Sequence, residues 1–151
     1  MANSNINFEK FAKEANSYIN DLAKDLGHPE EKDRTMILWR AVMHTIRDRI
    51  HIGESLQIAN PLPMIFKGVY LEGLSYSEKP PLDYQTLEEM KNQVKKHQNM
   101  YGEDEFSWSK STDELVLITM NSLKRFMSED QLDHIKDQMP LEVKKMLKES
   151  L

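Results

Sequence analysis

The sequence predicts an all-α fold, a helical bundle of about eight helices. Apolar residues recur three or four positions apart along most of the 151-residue chain, which is the spacing of an amphipathic helix. Capping patterns and Gly or Pro stops bound these segments, and only five glycines interrupt them. Because the chain has no cysteine, it excludes disulfides, thiolate metal sites and thiol catalysis.

The first helix is predicted over residues 6–26, where apolar side chains recur at helical spacing. Asn5 or Asn7 can cap its start by accepting hydrogen bonds from first-turn amides. Gly27 ends the run. A long helix then opens at Pro29-Glu30-Glu31, because proline fits a first turn and acids suit the positive end of the helix dipole.

The long helix carries an apolar stripe that is wide enough to pack against more than one neighbour. Its members are Met36, Leu38, Trp39, Val42, Met43, Ile46 and Ile50. We expect Trp39 to lie in the core because it fits this stripe. Ile52-Gly53 is expected to break the helix. Two short helices follow, one ending at Asn60-Pro61 and the other starting at Leu62-Pro63.

The stretch 72–84 combines Gly, Ser and Pro residues and is the clearest linker in the chain. Three capping-box patterns after it predict further helix starts. They are Thr86 with Glu89, Ser111 with Glu114, and Ser128 with Gln131. Gly102 closes the first of these helices, and Met139-Pro140 leads into a last short helix.

The two halves of the chain register when one is shifted by 77 residues, which predicts an internal repeat. Leu62-Pro63 then meets Met139-Pro140, and a shift of 75 brings Gly27 onto Gly102. Each unit alone would be marginally stable, so we expect the two similar four-helix repeats to share one core in a compact body. The predicted division is a first repeat at 1–73, a linker at 74–84 and a second repeat at 85–151.

Several short motifs together resemble a known family. They are Arg40-Ala41-Val42, Ile46-Arg47-Asp48-Arg49-Ile50, Leu62-Pro63, Gly68-Val69-Tyr70, Glu72-Gly73, Lys79-Pro80, and Leu141 to Leu147 after Pro140. With them the chain resembles the bacterial family catalogued as domain of unknown function 2267, over roughly Phe8 to Leu147. The resemblance implies a small all-α fold and supplies no activity and no catalytic residues. The second half departs from the Arg-Asp-Arg cluster, since Lys124-Arg125-Phe126 stands in its place.

Composition disfavours several classes of function. A net charge of −5 argues against general binding of nucleic acid, which depends on Lys and Arg to neutralise phosphates. No apolar run is long enough to cross a membrane, and the first residues lack the pattern of a secretory signal. The cysteine-free composition agrees with a reducing cytosol, so we expect a cytoplasmic protein.

His44, Asp48 and His51 end the long helix and are the first candidate site. His44 and Asp48 are four residues apart and share a helix face, and imidazole and carboxylate are common metal ligands or acid–base groups. The helical metal motifs Glu-x-x-His and His-Glu-x-x-His are absent. The favoured interpretation is a polar helix face with a local ion pair. Asp130 and His134 form a similar pair, for which we favour a solvated face.

Arg40, Arg47 and Arg49 form a cationic patch near the same helix end. Arginine suits carboxylate or phosphate groups, so an acidic ligand is one interpretation. Arg47 and Arg49 also lie where cations complement the helix dipole, and we favour capping and ion pairing.

Phe106 and Trp108 lie in a loop between Gly102 and the Ser111 cap. They either fold back as a lid over the core, which we favour, or remain exposed for a partner. The segment Lys91 to Lys96 is basic but has no interleaved aromatic residue, so it does not predict a nucleic-acid site.

These observations favour a non-enzymatic interaction or structural module of the bacterial cytoplasm. Its expected partner is another protein or a second copy of the chain, with no cofactor. The candidate interaction residues are Arg40, His44, Arg47, Asp48, Arg49, His51, Phe106 and Trp108. The alternative is a small metal-dependent or hydrolytic enzyme that uses the region of His44, Asp48 and His51.

Overall fold

The computed structural model describes residues 6–75, 77–103 and 105–149, and in this part of the chain the all-α prediction is confirmed. The described residues form eight α-helices and one 3-10 turn at Leu123–Arg125. The helices are α1 Phe8–Asp25, α2 Lys32–Arg47, α3 Ile52–Ala59, α4 Met64–Leu71, α5 Leu87–Met100, α6 Thr112–Ser122, α7 Glu129–Asp137 and α8 Leu141–Leu147. No helix in these ranges is long and apolar enough to cross a membrane.

Most helix ends lie at the residues that the sequence singles out. Asn7 caps α1, its side chain accepting from the amide of Lys10 at 3.0 Å, while Asn5 lies outside the described residues. Gly27 and Gly102 follow α1 and α5 with φ of 89° and 97°. Glycine adopts this left-handed conformation without the steric cost that a Cβ imposes, which explains why both helices stop there.

Two predicted boundaries of the long helix are wrong. The helix begins at Lys32 rather than at Pro29, because Glu31 has a non-helical backbone with ψ of 56° and precedes the first turn. It ends at Arg47, and Ile52-Gly53 does not break it but opens α3. The break lies between these points, where the His51 side chain accepts from the amide of Gly53 and caps α3.

The three predicted capping boxes all mark helix starts. Only Ser128 with Gln131 forms both reciprocal hydrogen bonds, at 3.1 and 2.9 Å. At Thr86 and Ser111 the hydroxyl accepts from the amide three residues on. It also donates to the Glu carboxylate at that position.

The core is centred on α2, which contacts α1, α4, α5 and α6. Trp39 is fully buried, as predicted, and its Nε1 donates to the Tyr18 hydroxyl at 3.0 Å. Phe66 of α4 packs edge-on against both rings, with centroids 4.9 Å from Tyr18 and 4.7 Å from Trp39. Six of the ten methionines also lie in this core. The buried ones are Met43, Met90, Met120, Met127, Met139 and Met146.

The helix contacts of the two halves correspond. Both α1–α2 and α5–α6 are in contact, as are α1–α4 and α5–α8, α2–α4 and α6–α8, and α3–α4 and α7–α8. The contacts between the halves correspond as well, because α2 contacts α5 and its equivalent α6 contacts α1. The repeat and its boundaries stay predictions, and this correspondence supports them.

Candidate functional site

His44 lies in the core rather than on a polar helix face, so the favoured interpretation of this residue is wrong. Its side chain is only 1% exposed, and it joins α2 to α4 and to Tyr101, the residue that follows α5. Nε2 must donate to the Val69 carbonyl at 2.8 Å, which leaves Nδ1 to accept from the Tyr101 hydroxyl at 2.7 Å. Burial, followed by the positive charge of Arg47, lowers the pKa of His44 to about 4.

A second buried histidine, His97 of α5, joins the same cluster. Thr45 donates its one hydroxyl proton to Ala41, so Nδ1 of His97 donates to the Thr45 oxygen at 2.8 Å. The imidazole stacks on the Tyr101 ring with a centroid distance of 5.3 Å. Burial lowers the pKa of His97 as well. Both rings are therefore neutral packing groups near pH 7.

Arg47 is 3% exposed and uses its donors to join α2 to the end of α4. Nη1 donates to the carbonyls of Tyr70 and Glu72 at 2.6 and 2.7 Å. Nε and Nη2 form a fork on the Asp48 carboxylate at 2.8 and 3.0 Å. Arg47 thus caps α4 and pairs with its neighbour, which leaves little of the guanidinium for an external ligand.

Arg40 and Arg49 are also held by the protein. Arg40 forms an ion pair with the Glu72 carboxylate, and its guanidinium lies 3.7 Å from the Tyr101 ring centroid. Arg49 donates through Nε to the Tyr84 carbonyl at 2.8 Å and fixes the linker against the end of α2. The three arginines of the predicted patch therefore support three different contacts instead of one anion site.

His51 is exposed at the start of α3, where it acts as an N-cap. It does not share in the hydrogen bonds of His44, and Asp48 faces Arg47. Across the described residues, no three His, Asp or Glu side chains are grouped closely enough to hold a metal ion. The structure consequently does not gather the three residues into one polar centre.

The loop that carries Phe106 and Trp108 folds back toward the turn after α1. Both rings make edge contacts with His28, at centroid distances of 5.1 and 5.3 Å. Trp108 packs against the core and donates through Nε1 to Glu103 at 3.0 Å. Both aromatic residues are half-buried.

A basic groove lies beside this loop. Lys91 and Lys95 of α5 and Lys110 line a space of about 480 Å³ together with Phe106 and Trp108. The basic run has no aromatic neighbour in the sequence, and the fold supplies two from another segment.

Sequence reasoning missed a groove of about 250 Å³ between α3 and α7. Ile58, Met127 and Ile135 contribute apolar surface to it. Glu54 of α3 and His134 of α7 meet across it, with Oε2 and Nε2 3.0 Å apart. The repeat gives one indication of this groove, because Ile58 and Ile135 are equivalent under the 77-residue shift. The shift does not predict that a space is left between α3 and α7.

A family model described as uncharacterized conserved protein (DUF2267) matches residues 15–146. The match runs from within α1 to the last turn of α8 and confirms the resemblance inferred from the short motifs. A search of curated proteins found no match to the chain.

Proposed function

The chain belongs to the family described as uncharacterized conserved protein (DUF2267), and we propose that it is a non-enzymatic interaction module. Its ligand in this proposal is a positively charged amphipathic helix of another protein, which binds between α3 and α7. The family description names no reaction or partner, so the proposal depends on the surface of the molecule. We place this module in the bacterial cytoplasm, which the family resemblance and the cysteine-free composition support.

The observation that carries the proposal is the combination of apolar floor and acidic rim in the α3–α7 groove. Ile58, Met127 and Ile135 supply the apolar surface. Among the described residues, Glu54 and Asp130 are the carboxylates that line it, no lysine or arginine does so, and His134 is the basic side chain there, in contact with Glu54. A helix with apolar residues on one face and cations beside them complements this arrangement, as in helix-in-groove recognition.

The helices that bound the groove extend the same charge. Glu54 is the only ionisable side chain within α3. In α7 the acids Glu129, Asp130, Asp133 and Asp137 outnumber the one lysine, Lys136, which lines a different pocket. A second copy of the chain, with its net charge of −5, is a poorer electrostatic match than a basic segment.

An enzyme at the region of His44, Asp48 and His51 has less support. A ligand or proton acceptor needs a free lone pair, whereas both nitrogens of His44 are hydrogen-bonded within the core. Asp48 is paired with Arg47, and His51 caps α3. Elemental analysis of the purified protein tests this alternative, and a stoichiometric metal lost in His44→Gln would favour it.

Binding is tested with two designed helical peptides that share a leucine face and differ in having lysine or glutamate on the other. Fluorescence anisotropy should detect binding of the lysine peptide and weak or no binding of the glutamate peptide. Gln57 lines the groove and is exposed, so Gln57→Arg places a cation in it with little effect on folding. We expect this variant to weaken binding by about tenfold or more, because repulsion and steric blocking act together.

Asn20→Arg is the matched control, because it adds the same charge on the exposed side of α1. It should leave the affinity of the lysine peptide unchanged. Equal loss in both variants would mean that net charge alone governs binding and would overturn the groove assignment. Light scattering over a concentration series addresses self-association, and a dimer abolished by Gln57→Arg would identify a second copy as the occupant instead.

A further inference from the structure

A pocket of about 510 Å³ lies in the second half of the chain, between the 3-10 turn, α7 and the end of α8. Asn121, Lys124, Lys136 and Lys148 line it, together with Leu147. This pocket is separate from the groove between α3 and α7, and none of the described residues lines both. The proposed interaction with a helix makes no use of it.

Lys136 is the unusual member of the pocket. Its residue is 7% exposed, yet within the described ranges no hydrogen bond or ion pair reaches its Nζ atom. The stem of Lys136 is buried, whereas its Nζ atom keeps contact with solvent, since it is not among the fully buried polar atoms that lack a partner. Burial accordingly lowers the pKa of Lys136. The free surface that remains to this side chain belongs to the pocket.

The other charged groups around Lys136 do not supply the missing partner. Lys148 is paired with Asp137 at 2.6 Å, and Lys124 lies in no ion pair among the residues that the structure describes. Asp133 and Glu149 also line the pocket and are exposed. Neither forms an ion pair with Lys124 or Lys136 within the described part of the chain. Among the described residues, Lys124 and Lys136 therefore line the pocket without an ion pair to a carboxylate, and Asp133 acts on Lys136 only from beyond ion-pair distance.

The first half shows what fills the corresponding position there. Under the 77-residue shift, His44, Arg47 and Tyr70 correspond to Asn121, Lys124 and Leu147. In the first half all three side chains are buried, whereas in the second half Leu147 is buried, Asn121 is half-buried and Lys124 is exposed beside the pocket. The same position is therefore closed in one half and open in the other.

The second half also differs from the first in the charges at this position. Asp48, the carboxylate that pairs with Arg47, corresponds to Arg125. Arg125 turns away from the pocket to α1, where it donates to Asp21 and Ser17 at 2.8 Å each. The second half thus keeps the cation of this position and lacks its internal anion.

We propose that this pocket binds a phosphate group, which takes the place of the missing carboxylate between Lys136 and Lys124. A doubly charged tetrahedral oxyanion can accept hydrogen bonds from several ammonium groups at once, and lysine is a frequent phosphate ligand. Asn121 supplies an amide donor at the same pocket. The phosphate is either free or the terminal group of a small phosphorylated metabolite.

The test measures the thermal unfolding midpoint and calorimetric binding at constant ionic strength, with inorganic phosphate, glycerol 3-phosphate, acetate or chloride as the added anion. Both phosphates should raise the midpoint, and acetate and chloride should not. Lys136→Met keeps the buried stem and removes the charge. It should reduce phosphate affinity by about tenfold or more, as expected for the loss of a charge-assisted hydrogen bond.

Lys145→Met is the matched control, because Lys145 is exposed on α8 and does not line the pocket. It should bind phosphate as the unmodified protein does. A Lys136→Met variant that folds and binds phosphate normally would overturn the proposal and leave Lys136 as a side chain that only covers the core. Equal midpoint shifts with all four anions would overturn it as well, because they would indicate a general salt effect. A strong preference for glycerol 3-phosphate over inorganic phosphate would identify a metabolite as the source of the group.

Discussion

Acid should destabilise the fold through His44, and the structure sets the size of the effect. Burial between α2, α4 and α5 lowers the pKa of this histidine from about 6.5 to about 4. Between pH 4 and pH 6.5, His44 binds a proton in the unfolded chain and stays neutral in the native state. The contribution of neutral His44 to stability is therefore fully present above pH 6.5 and is lost as the pH falls toward 4. The shift corresponds to about 3 kcal/mol of unfolding free energy, at roughly 1.4 kcal/mol per pKa unit.

Urea unfolding at pH 7 and pH 4.5 measures this loss. His44→Gln is the informative variant, because its amide can donate to Val69 and accept from Tyr101 without ionising. Carboxyl groups titrate in both proteins, so the quantity of interest is the difference between them. The unmodified protein should lose about 2.5 kcal/mol more than His44→Gln between the two pH values. His97, whose pKa is lowered for the same reason, adds to the acid loss in both proteins.

His51→Gln is the control, since it removes an exposed histidine and leaves His44 intact. It should retain the full acid loss of the unmodified protein. If His44→Gln and the unmodified protein lose the same free energy between pH 7 and pH 4.5, the native state does not exclude the proton and the assignment of His44 as a neutral core residue is refuted.

Three further predictions concern contacts that hold the fold, each measured by urea denaturation. Arg47→Ala should lower the free energy of unfolding by about 3 kcal/mol or more, because it leaves buried carbonyls and a carboxylate without their donor. A loss near zero would mean that water replaces the guanidinium group. Tyr84→Phe should cost about 1 kcal/mol by removing the hydrogen bond to the Thr45 carbonyl, and unchanged stability would show that the linker is not held there. Ser128→Ala should cost about 1 kcal/mol through the lost cap of α7, whereas Ser128→Asp should retain most of the stability.

The helices and most of their ends were predictable because their signals are local. A glycine that adopts positive φ, as at Gly27, or a Ser-x-x-Gln cap determines its own neighbourhood. The break after Arg47 was misplaced because no residue between 48 and 51 is a strong helix breaker. The chain turns there through tertiary contacts, among them the bond from the Leu82 amide to the Asp48 carbonyl. A contact between residues 34 positions apart cannot be predicted from the local spacing of apolar residues.

The role of the candidate site was not predictable for a related reason. His44 and Arg47 look like solvated helix-end residues, and their burial depends on partners far along the chain. Tyr101, which follows α5, lies 57 residues after its partner His44, and Glu72 lies 25 residues after its partner Arg47. The polarity of a side chain indicates that it needs hydrogen bonds but not whether water or protein supplies them.

The groove between α3 and α7 joins the repeat to the proposed function and gives a test of both. Its floor residues Ile58 and Ile135 are equivalent, so an apolar helix face meets similar surfaces in either orientation. The rim is not equivalent, because Glu54 corresponds to Gln131, and a cation near one end of the bound helix should fix its direction. The double change Glu54→Gln with Gln131→Glu keeps the net charge, and glutamate at position 131 still suits a capping box with Ser128. We expect the preferred direction of the bound lysine peptide to reverse, as measured by paramagnetic broadening from a spin label at one peptide end. An unchanged direction would mean that the rim carboxylate does not orient the helix.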